Sequence, residues 1–544
     1  MPILRTVLTL ALATSFSALL SAGLGAADAA ADPASKLHYW YPLPKAAKPE
    51  VIEADVIAYG ATPAGVSATI QARRMGKTAV LVEFGIYIGG LTSSGLSATD
   101  GGNVIGGLTV EFYQGLGKRR GFAPAAAEAR FHAMLDEAKV PIYTEQRLDS
   151  VVLKGKAISE MVMENGNRFR AKMFLDCTYE GDLFAKAGVS FHVGREGNAQ
   201  YGETLNGVQK PGSHNFTKQV DPFIVPGNPK SGLLPGITNT NTDAPGVFGS
   251  GDKHVQAYNF RMFLAKMPEA IPFPKPKGFD PKRYELLARY IAAGATETRS
   301  FMQLQVGDSN NQGGFSTDNI GMNYEWPEAT YQRREEIYQE HVTYQQGLMW
   351  FLANDERVPE GIRSQVSAFG LAKNNFPETG GWPHQLYVRE ARRLVGALVM
   401  TEAHCRHKET VDDAVGLGEY NMDSHNTQRF VAQIDGKYWV KNEGDVQVGV
   451  PGAYPVSYRA LIPKKGECPN VLVPVCLSAS HIAYGSIRME PVFMVLGQSA
   501  ATAAVMAIDA TSSVQDVPYA KLRERLDADK QLLVPPPKKE KPEK

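Results

Sequence analysis

At 544 residues the chain exceeds what a single small core supports and suffices for one large two-part domain or two to three ordinary ones. Lys plus Arg balance Asp plus Glu at 57 each, so no net field draws the chain towards nucleic acid or an anionic membrane. Four cysteines, Cys177, Cys405, Cys468 and Cys476, are too few for a disulfide framework in a chain this long. They contain no Cys-x-x-Cys pair, so no metal site is expected, and buried thiols and one or two bridges stand equally open.

The first residues read as a secretory signal: Arg5 in a short basic start, an apolar run from Val7 to Leu20, then small residues from Ser21 to Ala31. The run is shorter than the ~20 residues of a membrane span. Cleavage of residues 1–31 would leave a periplasmic or secreted chain. No Cys follows the run and no Arg-Arg pair precedes it, which argues against a lipid anchor and against export in the folded state. No later stretch reads as a membrane span. Residues 32–50, rich in Pro, Ala and Lys, read as an extended lead-in.

The first ordered unit is a βαβ pattern. Ala54 to Tyr59 is strand-like, Pro63 to Met75 has helical spacing, and Thr78 to Val82 is a second strand. Between the first strand and the helix stands Gly60-Ala-Thr-Pro-Ala-Gly65. Gly60 permits a tight turn, Gly65 permits close helix–strand packing, and Thr62, Pro63 and Ala64 open a helix whose N–H groups suit a pyrophosphate. Thr62 occupies the place of the middle glycine of the usual fingerprint. Glu83 ends the second strand, where an acidic side chain accepts from ribose hydroxyls and disfavours a 2′-phosphate.

Next, Ile88-Gly-Gly-Leu-Thr-Ser-Ser-Gly95 and Thr99-Asp-Gly-Gly102 are dense in glycine. Gly89, Gly90, Leu91 and Thr92 would let backbone and hydroxyl groups approach a flat ring or a phosphate. Leu148 to Thr178 alternates in short runs, as antiparallel strands do. In Phe174-Leu-Asp-Cys-Thr-Tyr-Glu-Gly-Asp182, a strand runs into an acidic turn. Asp176, Gly181 and Asp182 either orient a nucleotide or cap the helix that follows.

Residues 202–281 are rich in Gly, Pro and Asn, the composition of long loops around a site. Tyr331 to Leu352 and Gln385 to His404 show helical patterns, Asn470 to Cys476 a buried strand, and Pro491 to Ala510 a helix of small residues. On the second pattern Arg389, Arg392 and Arg393 share a face with Glu390 between them, as an anion clamp or a salt-bridged surface. Trp326, Tyr331, Tyr338, Tyr344 and Trp350 have helical spacing and read as core. Asn310, Asn311 and His384 fall near glycine-rich loops and are weak pocket candidates.

The predicted fold class is α/β. A Rossmann-like nucleotide-binding domain is assembled from residues 51–200 and 441–515, a mixed, loop-rich substrate domain spans 201–440, and residues 516–544 form a C-terminal helix and disordered tail. Tyr59-Gly-Ala-Thr-Pro-Ala-Gly65, Thr178-Tyr-Glu-Gly-Asp182, Gly194-Arg-Glu196, Arg389-Glu-Ala-Arg-Arg393, Asp423-Ser-His-Asn426 and Ser480-His-Ile-Ala-Tyr-Gly-Ser-Ile-Arg-Met-Glu-Pro491 resemble the bacterial FAD-dependent oxidoreductases. That superfamily also contains glutathione-reductase-like and fumarate-reductase-like flavoproteins, and some of its members carry a xanthan lyase label. The resemblance implies FAD, with Gly497, Gln498, Ser499 and Ala500 at a helix start facing the flavin ring.

A flavin that oxidises an alcohol, sugar or amine needs a group to take a proton. His481 is the first candidate, with Arg488 nearby for an anionic substrate or the reduced flavin. His425, flanked by Asp423 and Asn426, is the second. The expected partners are a small-molecule substrate, carbohydrate among the options, and an external electron acceptor. A single dinucleotide fingerprint gives no reason to expect NAD(P)H. A carbohydrate-active lyase or flavin-assisted elimination enzyme, and an electron-transfer or binding flavoprotein, are the alternatives.

Overall fold

The computed structural model describes residues 36–97, 100, 104–238 and 244–536. The expected signal, Thr99, Gly101, Gly102 and the end of the tail lie outside the described residues.

The organising element is a sheet built from β1 (Val51–Tyr59), β2 (Ala79–Val82), β3 (Ile142–Tyr143), β4 (Leu148–Lys154), β5 (Ala157–Met163) and β6 (Arg168–Asp176). Their order is β3-β2-β1-β6-β5-β4. β1 lies parallel to both β2 and β6, so Tyr59 stands level with Val82 on one side and Asp176 on the other. β4 and β5 add antiparallel strands beyond β6, as their alternation predicts. The short strand Val471–Leu472 pairs in parallel with β6, which brings the far end of the chain into the same sheet.

Period-two alternation assigns the faces. Val56 and Ala58 of β1, Leu81 of β2 and Leu175 of β6 pack into the larger core. Ile57, Tyr59, Val80, Val82 and Phe174 point the other way, into a second core with Phe169, Leu183 and Val471. The first face is covered by α1 (Pro63–Arg74) and by the helix Glu490–Ala510, which carries small residues where the two helices touch. A Cβ on Gly497 would lie 2.2 Å from the Ala64 carbonyl oxygen, so glycine sets this crossing distance. By length and composition Glu490–Ala510 could cross a membrane, contrary to the reading that no later stretch could, but 89% of its apolar window is buried inside the protein.

The middle of the chain builds further sheets and helices on the same core. Its four-stranded antiparallel sheet runs Gly307–Ser309, Met262–Lys266, Phe369–Ala372, Ala270–Ile271, and the long helix Tyr331–Asn354 packs nearby as its spacing predicts. The strand Lys437–Glu443 pairs with Gln428–Ile434 and so straddles the expected boundary at 440/441. The helix expected over 385–404 is absent: the segment is irregular, with a short strand Arg393–Leu394 and a single turn Glu402–Cys405. Its backbone groups bond to other segments, and the side chains of Arg389, Glu390 and Arg393 are buried in ion pairs, so tertiary contacts override the local pattern.

Candidate functional site

The carboxyl ends of β1, β2 and β6 open on a cavity of about 560 Å³, where ligands bind in open α/β sheets. Gly60, Ala61, Thr62 and Glu83 form its floor. Gly60 has φ +100°, and a Cβ there would stand 2.7 Å from the Cys177 carbonyl carbon, so no other residue makes this turn without strain. A Cβ on Gly65 would lie 1.9 Å from the Gly60 oxygen, so this glycine is needed for strand and helix to approach. Thr62, in the place of the middle glycine, donates its hydroxyl to Cys177 O at 2.8 Å and ties the turn to β6. Pro63 occupies the first helical position, and the N–H groups of Ala64 and Gly65 head a helix whose first turn has no internal acceptor.

Glu83 accepts from Ala61 N at 2.5 Å and from Gly85 N at 2.8 Å, which fixes its carboxylate at the cavity wall. Burial pushes its carboxyl up. The opposite wall is Thr178, Tyr179, Glu180 and Asp182. Asp176 sits behind it: one carboxylate oxygen accepts from Thr178 N and Oγ1, the other from Leu183 N and Phe184 N. Asp176 therefore takes the capping role for the helix Asp182–Lys186, and Gly181, at φ +70°, makes the bend between them. Asp182 lies in the cavity wall between the guanidiniums of Arg334 (2.6 and 2.9 Å) and Arg392 (2.6 Å). Burial alone would raise its carboxyl, and the two arginines bring it down to about 2. Glu180 beside it is pushed up to about 7, chiefly by burial.

Two contributors to this cavity, the lead-in segment and Arg334, escaped the sequence reading. The segment read as a lead-in folds over the mouth with Lys36, His38, Tyr39 and Tyr41. Glu335 accepts from the backbone N–H of Tyr39 and Trp40 at 2.7 and 2.9 Å, and the Tyr39 ring stacks on Phe84 at 4.7 Å. The run Tyr39-Trp40-Tyr41 was the available signal, since an exposed linker has no use for three aromatics. Arg334 gave no such signal within its helix. His384, only a weak candidate, lines the cavity stacked on Tyr87 with ring centroids 3.4 Å apart. Burial pulls it down to about 3, and its Nδ1 has no hydrogen-bond partner among the described residues.

The glycine-dense loop leads away from this cavity. Gly89 and Gly90 have positive φ, and a Cβ on Gly90 would collide with the Tyr179 hydroxyl at 2.3 Å. Leu91 N donates to that hydroxyl at 3.0 Å, which donates to Glu490 at 2.8 Å, and Thr92 Oγ1 donates to the same carboxyl at 3.3 Å. Burial pushes Glu490 up to about 8. Beyond it lies a narrow cavity of about 10 Å³ between Thr92, Leu96, Asp100, Tyr387, Arg488 and Glu490. The helix start that meets the site is thus Met489–Glu490. Gly497, Gln498, Ser499 and Ala500 lie inside the helix: Gly497 against α1, Gln498 bonded to Leu108 N and Gln71, and Ser499 to Val415 O.

Behind the narrow cavity is a buried polar cluster. Arg488 bonds Tyr387 (2.9 Å), Gln256 (3.1 Å) and the Asp423 carboxylate (2.9 Å). His425 holds Asp318 at 2.7 Å through Nδ1, while its Nε2 stands 3.7 Å from Asp423. Burial, then the nearby Arg389, pulls His425 below the usual histidine range. His481 differs. Its Nε2 bonds Ser424 Oγ at 3.0 Å and its Nδ1 bonds Glu390 at 2.8 Å, and Glu390 is shared with Arg393. Both ring nitrogens are committed inside the protein. Arg389, Arg392 and Arg393 do not form one clamp, because each has its own acid: Asp318, Asp182 and Glu196. Asn311 reaches His214, and Asn310 keeps an unpartnered buried oxygen. Trp326, Tyr338 and Tyr344 are buried as core, with Tyr338 also at the cavity. All four cysteines are buried and free, and no metal-ligand cluster exists among the described residues.

A family model described as FAD dependent oxidoreductase matches residues 55–526. The chain belongs to this family. A comparison with curated proteins finds no match. Similar solved structures include a flavin monooxygenase from Stenotrophomonas maltophilia (19% identity, 23% of this chain and 38% of that one, TM-score 0.19). Others are THI4 of Thermovibrio ammonificans (19%, 26% and 66%, 0.22) and L-proline dehydrogenase of P. horikoshii (19%, 29% and 27%, 0.19). The chain thus covers less than two thirds of each of these proteins.

The cofactor of this FAD-dependent oxidoreductase fits the residues present. A cavity at the sheet's carboxyl edge, the forced glycine at position 60, the helix head at Ala64 and Gly65, and the unpartnered His384 nitrogen suit a dinucleotide. Gly90 to Thr92 lead from there towards Met489–Glu490, the start of a long helix that a flavin ring would meet.

Proposed function

We propose that this flavoprotein oxidises a small organic substrate, an alcohol, sugar or amine, beside the cavity between Thr92, Arg488 and Glu490, with an external acceptor completing the turnover. Bound FAD supplies a hydride acceptor. The chain's own residues supply the rest. His425 carries the reading: its Nδ1–H donates to Asp318, its Nε2 stands 3.7 Å from the Asp423 carboxylate that Arg488 binds, and its lowered pKa keeps it neutral near pH 7. A neutral, oriented imidazole can take the proton that a hydroxyl or ammonium group must lose. Arg488 and Tyr387 offer polar contacts at the cavity wall. His481, tied at both nitrogens, holds Ser424 and Glu390 in place and so positions the loop that carries His425.

The test is anaerobic mixing of the FAD-loaded protein with alcohols, sugars and amines, read as loss of the flavin's visible absorbance. A substrate that bleaches the wild type should bleach His425→Asn roughly 10²–10⁴ times more slowly at unchanged FAD content. Equal rates in the variant would remove His425 from the chemistry. A second reading rests on the narrowness of the inner cavity, which is of the order of a single water's room. A closed flavin face suits electron transfer, and rapid reduction by a redox partner without bleaching by any small molecule would favour it.

A further inference from the structure

A second cavity, of about 400 Å³, lies in the middle of the chain, lined by Gly236, Phe279, Tyr284, Phe315, Asn319, Tyr344 and Arg429 among others. Its walls are aromatic. Tyr284 stacks on Phe279 and on Tyr344, with ring centroids 5.8 and 6.4 Å apart. At its buried end is Arg429, 2% exposed, on the strand that follows Asn426 and Thr427.

Arg429 has no acidic partner among the described residues. Its Nε donates to the Asn442 amide oxygen at 2.9 Å, and its terminal nitrogens donate to the carbonyls of Gly236 and Gly314 at 3.1 and 3.2 Å. The guanidinium also lies over the rings of Phe315 and Phe216, 5.0 and 5.4 Å from their centroids. By contrast, the buried Arg389, Arg393 and Arg195 each have a carboxylate, Asp318, Glu196 and Glu443. Burial pulls Arg429 down to about 10, which still leaves it cationic at neutral pH. Neutral oxygens and ring faces share such a charge but do not balance it, and buried charges in proteins are ordinarily paired.

A second, independent observation is Asn319, 5% exposed, whose side-chain Nδ2 has no hydrogen-bond partner among the described residues and which lines the same cavity. The acids at the rim are already engaged. Glu340 pairs with Arg283, and Asp280 caps the turn at Lys282 and is exposed to solvent. The inner end therefore offers one unbalanced cation and one spare amide donor between aromatic walls.

We infer that this cavity is a binding site for a small organic carboxylate with a flat or apolar body, its carboxylate on Arg429 and Asn319 and its body among Phe279, Tyr284, Phe315 and Tyr344. The site is separate from the nucleotide cavity and owes nothing to the redox reading. It lies next in sequence to the candidate base's support, since Asn319 follows Asp318, the partner of His425.

Benzoate is the probe, titrated by calorimetry into the FAD-loaded full chain, with the flavin spectrum recorded in parallel. The expected result is saturable one-site binding and a rise in melting temperature. Benzyl alcohol, of like shape without the charge, should bind at least tenfold more weakly. Arg429→Met should weaken benzoate at least tenfold and abolish its effect on melting. Asn319→Leu, which removes a donor that bonds nothing, should weaken benzoate about threefold, and it decides the matter if Arg429→Met does not fold. No benzoate binding at millimolar concentration, benzyl alcohol binding as tight as benzoate, or binding that survives both substitutions and perturbs the flavin spectrum would each overturn the assignment.

Discussion

Replacing Asp182 by Asn tests the central electrostatic claim about the nucleotide cavity. The carboxylate sits between the buried Arg334 and the half-buried Arg392 and is brought from an ordinary 3.8 to about 2. That fall corresponds to about 2 kcal/mol in favour of the ionised, folded form. Asp182→Asn removes this term and leaves Arg334 buried without a counter-charge. Loss of one partner from a buried pair costs about 3–5 kcal/mol. Arg334 retains Trp326 O at 2.8 Å and Pro327 O at 3.0 Å, so the lower end of that range, ~3 kcal/mol, is expected at pH 7. Urea unfolding followed by tryptophan fluorescence reports it, since Trp326 contacts Arg334 directly. A depressed carboxyl pKa stabilises fully above the unfolded value near 4, and the gain is lost as pH falls through about 2. The gap between wild type and variant should therefore narrow by ~2 kcal/mol between pH 5 and pH 2. Adding Arg334→Met to the variant should recover part of the loss. A gap below 1 kcal/mol, or one that does not change with pH, would refute the pairing as an energetic feature.

Glu490, pushed up to about 8 by burial, is neutral at pH 7, and a raised folded value stabilises below the unfolded 4.5 and is lost as pH rises through 8. Glu490→Gln should match the wild type near pH 5 and lack its decline in melting temperature between pH 5 and pH 9; an identical decline in both would disprove it. Gly497→Ala puts a methyl 2.2 Å from the Ala64 carbonyl, so α1 must shift, at a cost of ~1–3 kcal/mol and with lower FAD retention; full retention and unchanged melting would show that the contact yields freely. The native protein should give no rapid reaction with a thiol reagent and four thiols after unfolding, because all four cysteines are free and buried. Fewer than four would reveal a bridge.

The turn that lines the cavity at the sheet's carboxyl edge was legible because its chemistry is local. Gly60, Thr62, Gly65 and Glu83 lie within one βαβ unit, and the roles of Gly60 and Gly65 follow from backbone sterics that any such unit must obey. Asp176 and Asp182 stood equally for two roles, and only their partners separate them: Asp176 turns inward to four backbone and hydroxyl donors, Asp182 outward to arginines from distant segments. The arginine segment failed for a different reason. Arg389, Arg392 and Arg393 repeat with helical spacing, but each is drawn to an acid on another element, and three buried ion pairs outweigh a spacing that isolated helices favour only weakly.

The proposed chemical half resists reading because only the fold brings its residues together. Thr92, Asp318, Tyr387, His425 and Arg488 come from five segments, and no short window contains two members of the His425–Asp318 pair. His481 looked the better base because it sits in a dense motif beside the last helix. That density reflects packing: the motif buries His481, Ser480 and Glu490 against other segments, and His481 spends both nitrogens holding Ser424 and Glu390. A histidine offered as a base needs one oriented and one uncommitted nitrogen; His481 has both hydrogen-bonded, whereas His425 has Nδ1 on Asp318 and Nε2 3.7 Å from Asp423. The distinction lies in hydrogen-bond partners more than fifty residues away, Asp318 for one and Ser424 for the other, so it belongs to the folded chain and not to any motif within it.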